Sequence, residues 1–583
     1  VMVGPSLRLL LCGMVALMLS IPWSASAQAT PSPPSAQPGP PPGSVPTPEQ
    51  LRLTPTPSRP PDASQLPEAP KVLRELGKPA DEMTLDVSAY AVDASAPERL
   101  RSALPALTAP YVGKARSYED LVNAAATVTR FLQREMGYYL GYAYLPEQTP
   151  TDGVIRIAVL EGRLDEVILN WPDKMPVKRS VVEAYLARLK PGEILRVRDV
   201  ERVVFLVNDL RGLTARFEVK AGRTPGTATL VVTPQPEQRV VSRAEIDTAG
   251  SRYSGVVRAS VLSTVSSPLG LGDGLVVNAL SSTTGGLMFG LAGYTLPIGA
   301  DGFKVGASAS YVRYQLDKSL LTLDLHGNAT TVTLYGLYPV VRSRNLNLFS
   351  LVSFDSKQFN DQQGPGLSQR KTSTDLQLSV SGDARDDLLS GGVNTFELSL
   401  AHGSIKLPRG AATDNAPNYT IGRLNASRLQ NLVNDRLLLF ASLKGQLAFA
   451  NLDSTEQFQI GGPDRVRAFA PGEGTGDSGE VLSLELRLLP PEAWFGRISR
   501  ELVFSAFYDI GTTTLRHDPA QQLVTKPDFV NRISLSGGGF GGVWDRGHDF
   551  ALRLYLAWPI SGTAVNDPVV KKPRIYLTAN KTF

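Results

Sequence analysis

The chain has almost no cysteine and very little histidine. One cysteine, Cys12, in 583 residues excludes a disulfide framework and a Cys-ligated zinc or iron–sulfur site. Four histidines, His326, His402, His517 and His548, stand far apart and give a metal centre little to build on. An excess of one charge is missing too. Lys plus Arg is 59 and Asp plus Glu is 55, so the net charge of +4 points to no nucleic-acid partner and no polybasic membrane patch. Beyond residue 27 no run of 18 apolar residues occurs, which argues against a transmembrane helix there. No Ser-His-Asp spacing, Gly-rich phosphate loop or metal cluster stands out, so neither an enzyme nor a cofactor is expected. Gly270-Leu-Gly272 reads as a strand turn. What the chain does have is 42% hydrophobic residues, enough to bury a large core and to exclude wholesale disorder.

Residues 1–27 read as a secretory signal peptide. Arg8 precedes an apolar run over 9–21, and Ala25-Ser26-Ala27 supplies the small residues a signal peptidase needs. The run is too short to cross a bilayer, and Cys12 would leave with it. Residues 28–70 hold 15 of the 44 prolines, including Pro40-Pro41-Pro42, and read as an extended, semi-rigid linker. Thr47-Pro-Glu-Gln-Leu51 is a candidate start for a short plug helix within it.

Two small α+β units follow, over 71–162 and 163–235. In the first, a strand over 83–92 leads to Ser117-Tyr-Glu-Asp120, which has the form of a capping box. Leu121, Ala125, Val128 and Leu132 then keep a helical stripe, Gly137 stops it, and strands are expected over 140–145 and 154–160. The second unit repeats the plan. A strand over 164–170 precedes helices over 180–189 and 197–210 and strands over 214–220 and 227–233. The longer helix opens at Val197 and puts Val200, Val203, Val204, Val207 and Leu210 on one side. Two repeats of one pattern at about 75 residues carry more weight than either alone.

From 236 to 583 the helical stripes disappear and alternation with period 2 takes over. Leu482, Leu484, Leu486 and Leu488 share one face of a strand whose other face carries Ser483, Glu485 and Arg487. About 16 such segments occur, most near the length of about 9–11 residues that crosses a bilayer at a tilt. A soluble sheet also alternates. Three features favour a closed membrane barrel instead: a secreted chain without disulfides, strands longer than the usual 5–6 residues of a sandwich, and charges and amides in mid-strand. Strand counting makes 450–479 a long connection between the eleventh and twelfth strands, holding six glycines, and the strand period places Asp509 on the lumen face with Ser505.

These features together resemble the two-partner secretion transporters, the TpsB proteins of the haemolysin-activator and filamentous-haemagglutinin-transporter type. Gly137-Tyr138, Tyr144-Leu-Pro-Glu-Gln148 and Leu160-Glu-Gly162 are similar to the first POTRA signature of that family. Asn208-Asp-Leu-Arg-Gly212 and Lys220-Ala-Gly222 are similar to the second, with Arg211 and Ala221 in place of prolines. In the barrel, Gly461-Gly462-Pro-Asp-Arg-Val466-Arg467-Ala468-Phe469 resembles the family's loop motif, and Phe507-Tyr-Asp509-Ile-Gly511 resembles its partner strand motif. Ala468 stands where the family has glycine, which bears on the backbone of the loop tip, since only glycine takes φ > 0 freely.

The resemblance implies two periplasmic POTRA domains and a 16-stranded antiparallel transmembrane barrel in the outer membrane of a Gram-negative bacterium. It implies that the loop over 450–479 folds back into the lumen. On spacing alone Arg467 reads as a solvated loop charge and Asp509 as a lumen residue facing water; the resemblance implies instead a charge-assisted pair that latches loop to barrel. The expected partners are an unfolded TpsA-type exoprotein, outer-membrane lipid and the barrel assembly machinery, for which Phe583 is the expected C-terminal signal. A groove of the second unit beside Val197 to Leu210 is the candidate substrate-binding site. The rival readings are an assembly factor for other barrels and a small-solute diffusion pore.

Overall fold

The computed structural model describes residues 84–583 apart from 322–323, 365–366, 408–412, 522–529, 548 and 568–572. The expected signal peptide, linker and plug-helix start lie outside the described residues, as does His548.

The first unit runs β1 (Thr84–Val87), β2 (Ala89–Val92), α1 (Glu98–Thr108), β3 (Gly113–Ser117), α2 (Tyr118–Arg134), β4 (Tyr142–Tyr144) and β5 (Val154–Leu160). The single strand expected over 83–92 is two strands that part at Ser88. There the Ser88 N–H turns aside to the Gly153 carbonyl at 2.8 Å, so β1 pairs with β3 and β2 with β5. Short strands of opposite allegiance carry no separate pattern, and β3, exposed and polar, was not foreseen. The capping box forms. The Asp120 N–H donates to Ser117 Oγ and the Ser117 N–H to the Asp120 carboxylate, each at 3.2 Å. Leu121, Ala125, Val128 and Leu132 are buried against the sheet. Gly137, at φ +68°, lets the Tyr138 N–H return to the Leu132 carbonyl at 3.0 Å. Ser117→Ala removes one reciprocal bond, at a cost of about 1 kcal/mol to the helix start. The expected result is faster hydrogen exchange confined to the first turn of α2.

The second unit runs β6 (Arg163–Leu169), α3 (Arg179–Leu186), α4 (Val197–Asn208), β7 (Leu213–Ala221) and β8 (Thr227–Pro236), with sheet order β6-β8-β7. Val200, Val203, Val204 and Val207 are buried in its core, as their spacing requires. The two units are joined through the backbone. The Tyr139 N–H meets the Leu195 carbonyl at 2.7 Å and the Val197 N–H meets that of Gly137 at 2.9 Å.

Sixteen antiparallel strands then close on themselves. They are β9 (Val240–Asp247), β10 (Arg258–Ser266), β11 (Gly274–Ser282), β12 (Leu287–Pro297), β13 (Lys304–Gln315), β14 (Leu325–Arg342), β15 (Leu346–Gln363) and β16 (Leu367–Asp386). The second half is β17 (Gly392–Lys406), β18 (Asn418–Val433), β19 (Leu437–Ala448), β20 (Ser478–Leu488), β21 (Leu502–Thr514), β22 (Arg532–Asp545), β23 (Phe550–Ser561) and β24 (Arg574–Thr582). Their burial is inverted relative to a water-soluble sheet. On β16 Lys371, Ser373, Asp375, Gln377 and Ser379 are buried, while Leu376 and Leu378 are about half exposed, at 50% and 52%. Polar residues inside and leucines outside suit a barrel whose solvent is lipid. No helix among the described residues is long and apolar enough to cross a membrane. Closure joins β24 to β9 through five paired residues, and the Phe583 N–H extends the seam to the Ser242 carbonyl at 2.8 Å. Phe583 is exposed.

The second unit sits against one mouth of the barrel. The Lys178 N–H bonds the Gly270 carbonyl at 2.8 Å and Arg202 Nη1 the Pro339 carbonyl at 3.0 Å. Alternation of strand direction then puts the β19–β20 connection at the opposite mouth.

Candidate functional site: a loop seated in the lumen

The β19–β20 connection, 449–477, does not stay outside. Phe458, Ile460, Val466, Ala468 and Phe469 pack with Val481, Phe507, Leu535 and Ala557 of the barrel wall. An apolar cluster inside a polar lumen is what seats the loop by removing apolar surface from water. The tip is a tight reversal. The Val466 N–H bonds the Ile460 carbonyl at 2.9 Å, the Arg465 N–H that of Gly462 at 3.1 Å, and the Gly461 N–H that of Glu473 at 2.9 Å. Gly462, at φ +132°, occupies backbone space closed to other residues. A Cβ on Gly461 would press on Glu473, and one on Gly511 would meet Ile460 and Val466 at 3.1 Å. Gly461 and Gly511 of the expected motifs are therefore places of close approach.

Ala468 is tolerated where glycine was the family pattern, because it is absent from the residues with positive φ. Its methyl needs room, and Gly537 on β22 gives it: a Cβ on Gly537 would run into that of Ala468. The β22–β23 ladder also slips between Ser536 and Gly537, where β23 carries one extra residue, Ile560, opposite the start of the run Gly537-Gly538-Gly539.

Arg467 and Asp509 meet. Arg467 Nε donates to Asp509 Oδ2 and Nη2 to Oδ1, each at 2.9 Å, and the Arg467 backbone N–H adds a third bond at 3.1 Å. Asp509 is 0% exposed. Glu485 on β20 is a third member that the motif reading missed. It accepts from Arg467 Nη1 at 2.7 Å and from Arg487 Nε at 2.9 Å. The guanidinium carbon lies 3.4 Å from the Phe507 ring centroid and 5.1 Å from that of Tyr555. Fork, carboxylates and rings together make this a strong, directional contact. The sequence placed Glu485 on the polar face, but the register that brings it beside Asp509 is not readable there.

The root of the loop is held by charges of the opposite sense. Glu456 meets Lys357 at 2.7 Å and Arg423 at 3.5 Å, and Asp453 meets Lys371 at 3.2 Å. These cations stand on β15, β16 and β18. On the return arm, Glu473 accepts from the backbone N–H groups of Val565, Asn566 and Asp567 at 2.9, 2.7 and 2.6 Å. The loop is thus fastened along its length to several parts of the wall. Groups of His, Cys, Asp and Glu able to hold a metal are absent among the described residues.

The segment Asn208 to Gly212 welds the second unit to the barrel. Asn208 caps α4 and ties it to β7, with Nδ2 on the Val204 carbonyl at 2.9 Å and Oδ1 accepting from the Ala215 N–H at 2.7 Å. Asp209 takes Arg342 of β14 through both oxygens, at 2.9 and 3.0 Å, with the side chains 4% and 2% exposed. Arg342 also lies 5.0 Å from the Phe205 ring centroid and bonds Asn347 at 2.6 Å. The turn survives without proline: Arg211 occupies the position, its N–H bonds the Gly272 carbonyl at 3.2 Å, and Gly212 takes φ +96°. The space beside Val197 to Leu210 is not an open groove on its inner side, since the valines of α4 fill it. What stays accessible is the edge strand β7, with Arg216, Glu218 and Lys220 exposed.

Comparison with known proteins agrees with this architecture. The family model for haemolysin secretion/activation protein ShlB/FhaC/HecB matches residues 226–541, and that for the ShlB-type POTRA domain matches 87–162. The chain is similar to the heme/hemopexin transporter protein HuxB of Haemophilus influenzae strain 86-028NP, at 26% identity over 481 residues, covering 81% of this chain and 82% of that one. It is similar to the outer membrane transporter CdiB of Dickeya dadantii strain 3937, at 25% identity over 474 residues, covering 79% and 81%. The solved structure of CdiB from Escherichia coli shares the fold, with a TM-score of 0.66 at 21% identity, covering 89% of this chain and 94% of that chain. A closed 16-stranded barrel, its POTRA region and a family match over more than half the chain place it in one group: the chain belongs to the haemolysin secretion/activation protein family ShlB/FhaC/HecB, the two-partner secretion transporters of the outer membrane.

Proposed function

We propose that this chain carries one large exoprotein, in extended form, from the periplasm through its lumen to the cell surface, with the loop 449–477 as a plug and Arg467–Asp509 as its latch. The family is one of transporters, not enzymes, which translocate TpsA-type exoproteins across the outer membrane with their POTRA domains in the periplasm. The observation that carries the finer reading is the seat of the loop. A lumen of buried charges is closed by a segment whose tip rests on three side-chain bonds and two aromatic rings. A diffusion pore has no use for such a latch or for two periplasmic units.

Capture of the substrate fits the edge of β7. Ala215 turns its backbone groups to Asn208, so alternation turns those of Phe217 and Val219 to the same open side. An extended polypeptide can add there as a strand, gaining main-chain bonds without a demand on sequence. Phe583, exposed like Ile575 and Leu577, is the residue proposed to be read by the barrel assembly machinery.

The test compares secreted proteins from cells with and without this gene, with outer-membrane barrels measured in parallel. Loss of one large exoprotein with other barrels unchanged is the expected result. A general fall in barrels would favour an assembly factor, and no change in either a small-solute pore.

A further inference from the structure

Arg467 is a guest in a site the barrel wall builds without it. Every group around its guanidinium stands on a strand: Glu485 on β20, Phe507 and Asp509 on β21, Tyr555 on β23. These strands are held by continuous ladders, in which Ser483 pairs with Asp509 and Glu485 with Phe507. Phe507 and Tyr555 also contact each other edge to face, with centroids 5.9 Å apart. The arrangement therefore does not need the loop to keep its shape. Two carboxylates that accept from three guanidinium nitrogens, closed by two aromatic faces, form a receptor for a planar delocalised cation rather than for a point charge.

When the loop tip leaves, this receptor faces the route of the polypeptide. Glu485 retains Arg487 at 2.9 Å, whereas Arg467 is the one cation paired with Asp509 among the described residues. Expelling Arg467 into an empty lumen strips Asp509 of that partner. Exchanging it for another guanidinium does not.

We propose that Glu485, Asp509, Phe507 and Tyr555 form a substrate subsite that binds arginine side chains of the translocating polypeptide in exchange for Arg467. The substrate thereby trades like for like, and opening is favoured by a chain that carries arginines. Lysine fits less well, since an ammonium cannot serve both carboxylates of the fork in one plane. This rests on the reading of the barrel as a polypeptide pore and adds a binding site to it.

The experiment places the full-length chain in planar bilayers. Three soluble, unstructured peptides of one sequence are added to the periplasmic side, with spaced arginines, lysines or citrullines. The arginine peptide is expected to raise the frequency of large openings about tenfold over its citrulline twin, the size of one charge-assisted bond. The lysine peptide, equal in charge, should fall well below it. Asp509→Asn should abolish the preference for arginine while opening more often unaided. Equal action of the arginine and lysine peptides on the unmodified chain would overturn the proposal, as would a preference that survives Asp509→Asn. Should that variant fail to insert, Glu485→Gln and Phe507→Leu decide by the same readout, and a preference intact in both overturns it. Failure of the polypeptide-pore reading shows elsewhere, as unchanged secretion in cells that lack the gene.

Discussion

Arg467→Ala is expected to leave the barrel standing and to unseat its plug. The sixteen strands depend on backbone ladders that the substitution does not touch. The seated loop depends on Arg467, because Asp509 is wholly buried under it and Glu485 lies beside it. Removing one partner of a buried pair leaves an uncompensated charge, a cost of about 3–5 kcal/mol. A lumen that admits water places the loss near the low end, and about 3 kcal/mol shifts the balance of seated and unseated loop by roughly a hundredfold. The measurement is the fraction of time spent in the large-conductance state in planar bilayers, which should rise steeply over the unmodified chain. Arg467→Lys should fall between, because it keeps the charge but loses the fork and the face-on contact with Phe507. An Arg467→Ala pore as quiet as the original would remove the latch from the mechanism.

Asp209→Ala is the second large effect, at the other end of the molecule. It takes the bidentate carboxylate from Arg342, which is 2% exposed between α4 and the barrel rim. The expected cost is again about 3–5 kcal/mol, now charged to the docking of the second unit. Hydrogen exchange should accelerate in α4, in β7 and around 343–345, while the barrel keeps its protection. Secretion should fall, because a substrate captured on β7 is no longer delivered to a fixed mouth. The double variant Asp209→Leu with Arg342→Met should be milder than Asp209→Ala alone, since it no longer leaves the Arg342 guanidinium buried without its carboxylate. A double variant as damaged as the single would show that packing, not charge, holds the joint.

Much of this architecture is legible in the residues. The capping box at Ser117, the valine stripe of α4 and the alternating strands each rest on a local rule that tertiary contacts reinforce. The lumen face of Asp509 follows from the period of a strand alone, and the turn at Gly212, expected from the family resemblance, takes its positive φ on the glycine. What escaped depends on register between strands distant in the chain. Nothing near Glu485 says that it will stand beside Asp509, and nothing near Asp453 or Glu456 announces Lys371 or Lys357. The same holds for Ala468 and Gly537: the methyl gained at one position is admitted by the glycine at the other, sixty-nine residues on. The division of 83–92 into two strands was hidden for another reason, since four-residue strands are too short to show a period.

The loop 449–477 is anchored at both ends, in β19 and β20, and so never diffuses away from its own site. A ligand on so short a tether acts at an effective concentration of the order of millimolar. Resealing after each passage is therefore a first-order event, as fast at one transporter per cell as at thousands. It needs no second protein to find the pore and no stock of free plugs. It also sets the standard any incoming chain must meet: not a solvent-exposed competitor at cellular dilution, but a resident one that returns as soon as its place is vacant.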